Sequence, residues 1–238
     1  QLPASMDGLT IAYASDIHFG PLLNKQRLDA LVGRLNDMRA DILLLGGDYG
    51  EDTKTSIAFF EHAPRMHARL GVFAAIGNHD LMGSDSEKRM LLAKIRDRGI
   101  TVLQNTAATI HLDNSALCLC AVDDIKEGEP EFQQLLQPAD SANFTIFMPH
   151  SPDVMPLTQQ VPGFKYDMVL AGHTHGGQLV LFGRSLHSSS RYGDRFRTGW
   201  MTYNGKPLMV SNGVGTSLLP IRIGTRAQIH RITLKRGT

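Results

Sequence analysis

Ile42-Leu43-Leu44-Leu45-Gly46-Gly47-Asp48 is a short apolar run closed by two glycines and an acid. A run of this length bounded by turn residues reads as a strand buried on both faces. Such strands belong to parallel sheets covered by helices, so the flanking sequence should alternate helix with strand. Upstream, residues 9–14 read as a strand, and residues 25–39 place Leu28, Leu31, Val32, Leu35 and Met38 at helical spacing. Downstream, residues 53–66 read as a helix, 71–76 as another strand, and 84–98 as an amphipathic helix capped by Ser84 or Asp85. Strand–helix–strand units of this size imply parallel strands joined by right-handed crossovers.

After Gly99 the pattern changes. Residues 101–103, 108–112 and 116–122 read as short strands with a turn signal at Asp113-Asn114, and 144–148, 168–171, 178–181, 207–210 and 228–234 as further strands. So many strands fit two packed, mixed sheets flanked by helices better than one sheet. No linker of Pro, Gly and Ser divides the chain, so a single α/β domain spanning residues 1–238 is expected. Residues 182–199 stand apart, carrying Arg184, Arg191, Arg195 and Arg197 among serines and glycines, and they read as an exposed loop.

The 238 residues are 42% hydrophobic and 20% charged, which excludes a disordered chain, a coiled coil and a collagen-like fibre. A net charge of +1 gives no support for a phosphate-tracking groove, so no dedicated nucleic-acid binding is expected. Cys118 and Cys120 lie two apart in one strand, where both face the same side; they read as buried thiols and not as a disulfide. No apolar run reaches the roughly 18 residues that a membrane-spanning helix needs. The chain opens at Gln1 without an initiator methionine, so a further segment upstream is expected.

The residues that carry chemistry sit where these strands end. The first strand runs into Asp16-Ile17-His18, whose Asp and His should lie on one side of extended backbone, and the next into Gly47-Asp48. Later ones run into Gly77-Asn78-His79-Asp80, Pro149-His150 and Gly172-His173-Thr174-His175-Gly176-Gly177. Any one of these is an ordinary polar turn. Together they converge on the carboxyl ends of strands, the crevice where open α/β sheets bind ligands. Carboxylate, amide and imidazole donors without thiolate suit Mn, Fe or Zn ions better than a soft-metal site.

That ordered set resembles the calcineurin-like metallophosphoesterases. Gly172 through Gln178, Ser211-Asn212-Gly213-Val214-Gly215-Thr216 and Pro220-Ile221-Arg222 further resemble a bacterial subgroup of membrane- or wall-associated phosphodiesterases. That subgroup includes a Tat-exported cell-wall phosphoesterase and diacylglucosamine pyrophosphohydrolase-like enzymes. Arg226-Ala227-Gln228-Ile229 departs from it where a Pro-Glu-Ile-like segment is usual. The resemblance implies a four-layer αββα sandwich and two divalent metal ions, manganese first, with iron or zinc as alternatives. Asp16, His18, Asp48 and His175 would hold one ion. Asp48, Asn78, His150 and His173 would hold the other, with Asp48 bridging. A metal-bridging hydroxide would then hydrolyse a phosphodiester or pyrophosphate bond. His79 would act at the leaving-group oxygen as catalytic acid or hydrogen-bond donor, with Asp80 orienting its other ring nitrogen.

Arg191, Arg195 and Arg197 would bind anionic substrate groups or lipid headgroups, and Leu218, Leu219 and Ile221 near Arg222 would extend that surface. The implied partner is a phosphorylated small-molecule or lipid-linked substrate, with contact to a membrane surface. The implied location is membrane-associated or extracytoplasmic, a cytoplasmic one being the alternative. A second reading is a lipid-linked or nucleotide-sugar pyrophosphohydrolase of envelope metabolism. From another class comes a non-catalytic metal-binding scaffold, disfavoured because every ligand position carries a competent residue type. A lactamase-like His-x-His-x-Asp-His cluster is absent from the sequence. Of the remaining histidines, His62 and His67 read as surface residues and His187 belongs to the arginine-bearing loop. Asn212 either borders the site or serves a tight turn.

Overall fold

In the computed structural model, which describes residues 2–217 and 219–237, the chain begins by alternating strand and helix. This half comprises β1 (Thr10–Ala14), α1 (Lys25–Asp37), β2 (Ile42–Leu45), α2 (Thr53–His62), β3 (Val72–Ala75), α3 (Asp85–Asp97) and β4 (Thr101–Leu103). Next come β5 (Thr106–Leu112), β6 (Ser115–Ala121), α4 (Gln133–Ser141), β7 (Phe144–Phe147), α5 (Met155–Thr158) and β8 (Met168–Ala171). A ribbon of β9 (Val180–Leu181) and β10 (Arg184–Ser185) precedes β11 (Gly199–Tyr203), β12 (Lys206–Val210) and β13 (His230–Thr233).

One sheet has the order β13-β1-β2-β3-β4 and is parallel except for β13. The other, β11-β12-β8-β7-β6-β5, is parallel at its centre and antiparallel at both edges. Side-chain alternation along each strand sorts the apolar residues into layers. Ile42 and Leu44 meet Ile11, Tyr13, Leu119 and Ile146 between the sheets. Leu43 and Leu45 turn the other way, to Leu28 and Leu35 of α1, Phe59 of α2 and Ile95 of α3. Cys118, Cys120, Phe147 and Val169 pack outward against Leu135 of α4 and Met155 of α5. The layers are therefore helix, sheet, sheet, helix, and both cysteines are buried free thiols on one face.

Some boundaries differ from expectation for identifiable reasons. Helix α2 stops at His62 because Ala63 precedes Pro64 and takes ψ 136°, away from the helical region. The strand expected at 178–181 shortens to β9 because Gln178 sits at φ 46°. Residues 182–199 are not a free loop: they contain β10 and bury Ser190 and Phe196. Asp153 pins them by accepting from Ser190 Oγ and from Arg191 N at 2.7 Å. Helix α4 was not expected, since Pro138 lies inside it and interrupts the apolar period.

The pairing of β1 with β2 is fixed at its start by Asp41. Its Oδ2 accepts from Thr10 N and Thr10 Oγ1, both at 2.9 Å, and its Oδ1 from Arg69 Nε at 2.9 Å. Burial opposes the charge, yet the Thr10 and Arg69 donors hold the carboxyl below its ordinary range. A depressed carboxyl contributes stability that is fully present above its unfolded-chain pKa of about 3.9 and is lost as pH falls through the folded value. Asp41→Ala should therefore cost about 1 kcal/mol at neutral pH. Urea melts of the two proteins should converge below about pH 4; a gap that persists unchanged into that range would show that the charge is not involved.

Candidate metal centre

Strands β1, β2 and β3 of one sheet and β7 and β8 of the other run into a single crevice. There they bring together Asp16, His18, Asp48, Asn78, His150, His173 and His175, all buried. Asp16, His18 and His175 present ligating atoms within 4.8 Å of one another, and so do Asp48, His150 and His173. The two groups touch. Asp48 Oδ2 lies 3.2 Å from His150 Nε2 and 3.7 Å from His18 Nε2. Asp16 Oδ1 lies 3.7 Å from His175 Nε2 and 4.0 Å from His150 Nε2. Asp48 thus faces both groups.

The local backbone is not the extended one expected at Asp16-Ile17-His18. Asp16, His18, Asp48, His173 and His175 all adopt left-handed conformations, with φ between 49° and 70°. Each such residue costs on the order of 1–3 kcal/mol and persists only where its surroundings over-determine it. Here they do: the amides of Ile17 and His18 both donate to the Asp48 carbonyl, at 2.8 and 3.1 Å, and His173 N donates to Asp16 Oδ1 at 2.8 Å. Glycines let the carboxylates lie against bare backbone. A Cβ at Gly77 would strike Asp48 Oδ1, and one at Gly172 would strike Asp16 Oδ2.

The charges are interdependent. Burial alone would raise the Asp48 carboxyl, but His150, His18 and His79 hold it well below the carboxylate range. Burial likewise opposes charge on His150, and the Asp48 and Asp16 carboxylates overcome it, holding that imidazole well above its ordinary value. His175 goes the other way, down to about 3, because burial dominates and the His18 and Arg222 charges add to it against Asp16. His173 is lowered by burial and by His150.

His79 and Asp80 depart from each other. His79 N donates to Asp48 Oδ1 at 2.9 Å, and His79 Nδ1 is 2.7 Å from the Glu51 carbonyl oxygen. Asp80 does not orient that ring, contrary to expectation. It turns inward, accepting from Asp48 N and Gly77 N at 2.9 Å each, Tyr49 N at 3.1 Å and Ser56 Oγ at 2.7 Å. Consecutive residues of a tight turn cannot aim their side chains at one target, so the carbonyl of Glu51 takes the place assigned to Asp80. Burial, with the Asp48 carboxylate behind it, pushes the Asp80 carboxyl up to about 6 against those donors.

One residue at the site, Glu51, and the role of another, Arg222, were not foreseen. Glu51 Oε2 lies 3.5 Å from His18 Nδ1, and Glu51, His18 and His79 form a third close group; its place three residues after Asp48 was the available signal. Arg222 reaches behind His175, donating to the carbonyls of His175 at 2.9 Å and Asn212 at 2.7 Å, with Nη2 3.3 Å from His175 Nδ1. Asn212 serves its turn, bonding Arg226 O through Nδ2 at 3.1 Å. In the arginine-bearing segment, Arg197 reaches the Gly176 carbonyl at 3.4 Å, Arg195 stacks over Phe196 at 5.1 Å, and Arg191 and His187 are exposed. His62 and His67 are exposed as well. Leu218 lies outside the described residues.

Whether these residues suit metal ions can be judged from their own bonding. Buried polar atoms are normally satisfied by hydrogen bonds. Asp16 Oδ2 and Asn78 Oδ1 are buried without a hydrogen-bond partner. Orphaned lone pairs on a carboxylate and an amide, beside clustered imidazoles in one crevice, are the donor set for borderline-hard divalent cations. The crevice fits the metal ions the sequence implied.

Comparison with known proteins agrees. The family described as calcineurin-like phosphoesterase matches residues 9–177. A zebrafish (Danio rerio) protein named transmembrane protein with metallophosphoesterase domain is 28% identical over 250 residues, covering 100% of this chain and 55% of its own length. Phosphodiesterase YaeI of Escherichia coli (strain K12) is 26% identical over 229 residues, covering 94% of this chain and 81% of its own. Among solved structures, NAD nucleotidase (NadN) of Haemophilus influenzae superposes with a TM-score of 0.55 at 15% identity, over 86% of this chain and 45% of that one, a likeness of fold. No helix among the described residues is long and apolar enough to cross a membrane.

Proposed function

The chain belongs to the calcineurin-like phosphoesterases, and on that premise we propose that it is a dinuclear metal-dependent hydrolase of phosphodiester or pyrophosphate bonds. The observation that carries this reading is Asp48, set between two groups of buried ligating atoms that lack enough protein partners of their own. Asp16, His18, Asp48 and His175 would hold one ion, and Asp48, Asn78, His150 and His173 the other. Two bound divalent ions, manganese in our assignment, supply Lewis acidity and neutralise the phosphoryl oxygens.

The protein's own groups do the rest. Asp80 anchors the Asp48 and Gly77 amides so that the Asp48 carboxylate cannot swing away. His79 donates a hydrogen bond, or a proton, to the leaving-group oxygen. Arg191, Arg195 and Arg197 offer positive charge to further anionic groups of the substrate, with Arg197 also holding its segment in place. The name of the E. coli relative favours diester over monoester substrates. The zebrafish relative's name favours a membrane-associated location.

The test is hydrolysis of bis-p-nitrophenyl phosphate beside p-nitrophenyl phosphate by metal-stripped protein, with Mn(II) added back. Diester cleavage should vanish on stripping, return with Mn(II) at about two ions per chain, and exceed monoester cleavage. A protein that holds the ions and cleaves neither ester would favour the scaffold reading instead.

A further inference from the structure

Arg222 is half-buried behind His175, and all three of its guanidinium nitrogens donate to backbone carbonyls. Nε reaches Gly215 O at 3.1 Å, Nη1 reaches His175 O at 2.9 Å, and Nη2 reaches Asn212 O at 2.7 Å and Gly215 O as well. With both Nη2 hydrogens spent on carbonyls, its 3.3 Å approach to His175 Nδ1 is a packing contact. A planar fork that meets several fixed acceptors at once is the particular capacity of arginine.

Those carbonyls belong to His175 itself and to the turn 212–215, which is seated on the chain around Asp16. Val214 N and Gly215 N donate to the Asp16 carbonyl at 3.2 and 2.7 Å. The contact is close: a Cβ at Gly213 would strike Asp16 Cβ, and one at Gly215 would strike the Ile17 carbonyl oxygen. Arg222 therefore ties His175 to the seat of Asp16 and His18. The remaining histidines are anchored elsewhere, His150 Nδ1 lying 2.8 Å from Gly46 O and His173 Nε2 3.3 Å from Ser189 O.

We propose that Arg222 is a positioning residue for one of the two ions, the one assigned to Asp16, His18, Asp48 and His175, and that it acts through geometry against its own charge. The proposal rests on the dinuclear reading above. A guanidinium beside a cation site repels the cation. Hydrogen bonding that holds ligands in place works the other way, and such support is typically worth about 10- to 100-fold in metal affinity. Charge and geometry thus predict opposite signs when the side chain is removed: tighter binding if repulsion dominates, weaker binding if positioning does.

The test is calorimetric titration of metal-stripped protein with Mn(II), circular dichroism confirming that each variant is folded. Wild type should bind two ions. Arg222→Ala should bind one of them as the wild type does and the other roughly 10- to 100-fold more weakly. Arg222→Lys, which keeps the charge and loses the fork, should weaken the same ion by nearly as much, and it carries the test if Arg222→Ala does not fold. Paired variants identify the ion. Arg222→Ala combined with His150→Ala should leave no tightly bound ion, whereas combined with His175→Ala it should leave the one that His175→Ala alone retains. Unchanged or tighter binding overturns the proposal, and so does equal weakening of both ions, the mark of a merely structural loss. A wild type that binds fewer than two ions removes the dinuclear reading, and with it the assignment of Arg222 to one of a pair.

Discussion

Asp48→Asn should slow diester turnover about 10³-fold or more and release bound metal, while the protein stays folded. Metal ions contribute several kcal/mol of transition-state charge stabilisation, and each 1.36 kcal/mol is worth tenfold. In the proposed arrangement Asp48 would serve both ions at once: its Oδ2 looks toward His150 on one side and His18 on the other. Asparagine is the informative replacement. Its φ of 57° suits Asn better than any other uncharged side chain, and an amide oxygen can still accept from His79 N, as Oδ1 does now at 2.9 Å. What the variant lacks is the second anionic oxygen. Metal analysis and turnover on the same sample decide the matter; two ions retained with a rate within tenfold of the wild type would mean that Asp48 does not bridge.

Much of this site was legible because short parallel strands have few places to put their chemistry. Once residues 42–45 read as a buried strand, Gly47-Asp48 had to emerge at its carboxyl end, and the same logic set Asn78, His150 and His173 beside it. The layers followed from alternation, which sends Leu43 and Leu44 to different cores. What stayed hidden depends on folded geometry. Arg222 meets His175 across 47 residues, and although both stretches carry the subgroup resemblance, neither announces the contact. The left-handed backbone at Asp16 and His18 is held by the Gly47 and Asp48 carbonyls, partners about thirty residues away. Asp80 neighbours His79 in sequence but not in space, because the turn sends its carboxylate inward to four donors. Helix α4 hides behind Pro138, and the arginine-bearing segment hides its anchor, Asp153, which lies some forty residues upstream.

His79→Ala should keep both metal ions and lose roughly 10²- to 10⁴-fold in kcat, the usual worth of a positioned acid. Its Nδ1 is committed to the Glu51 carbonyl, which can only accept, so that nitrogen carries a hydrogen, and Nε2 delivers a proton or hydrogen bond from the doubly protonated imidazolium. The His18 ring packs edge-on against it at 4.9 Å and 82°, which keeps the imidazole beside the metal centre. A group that delivers a proton or hydrogen bond to the departing oxygen matters most when that oxygen is basic. The loss should therefore be small with a p-nitrophenolate leaving group and large with an alkoxide from a dialkyl phosphate. A residue that merely shapes the crevice would slow both esters equally. Equal losses across leaving groups, in a variant shown to hold its metal, would assign His79 to packing and leave the leaving-group oxygen to be stabilised by other groups.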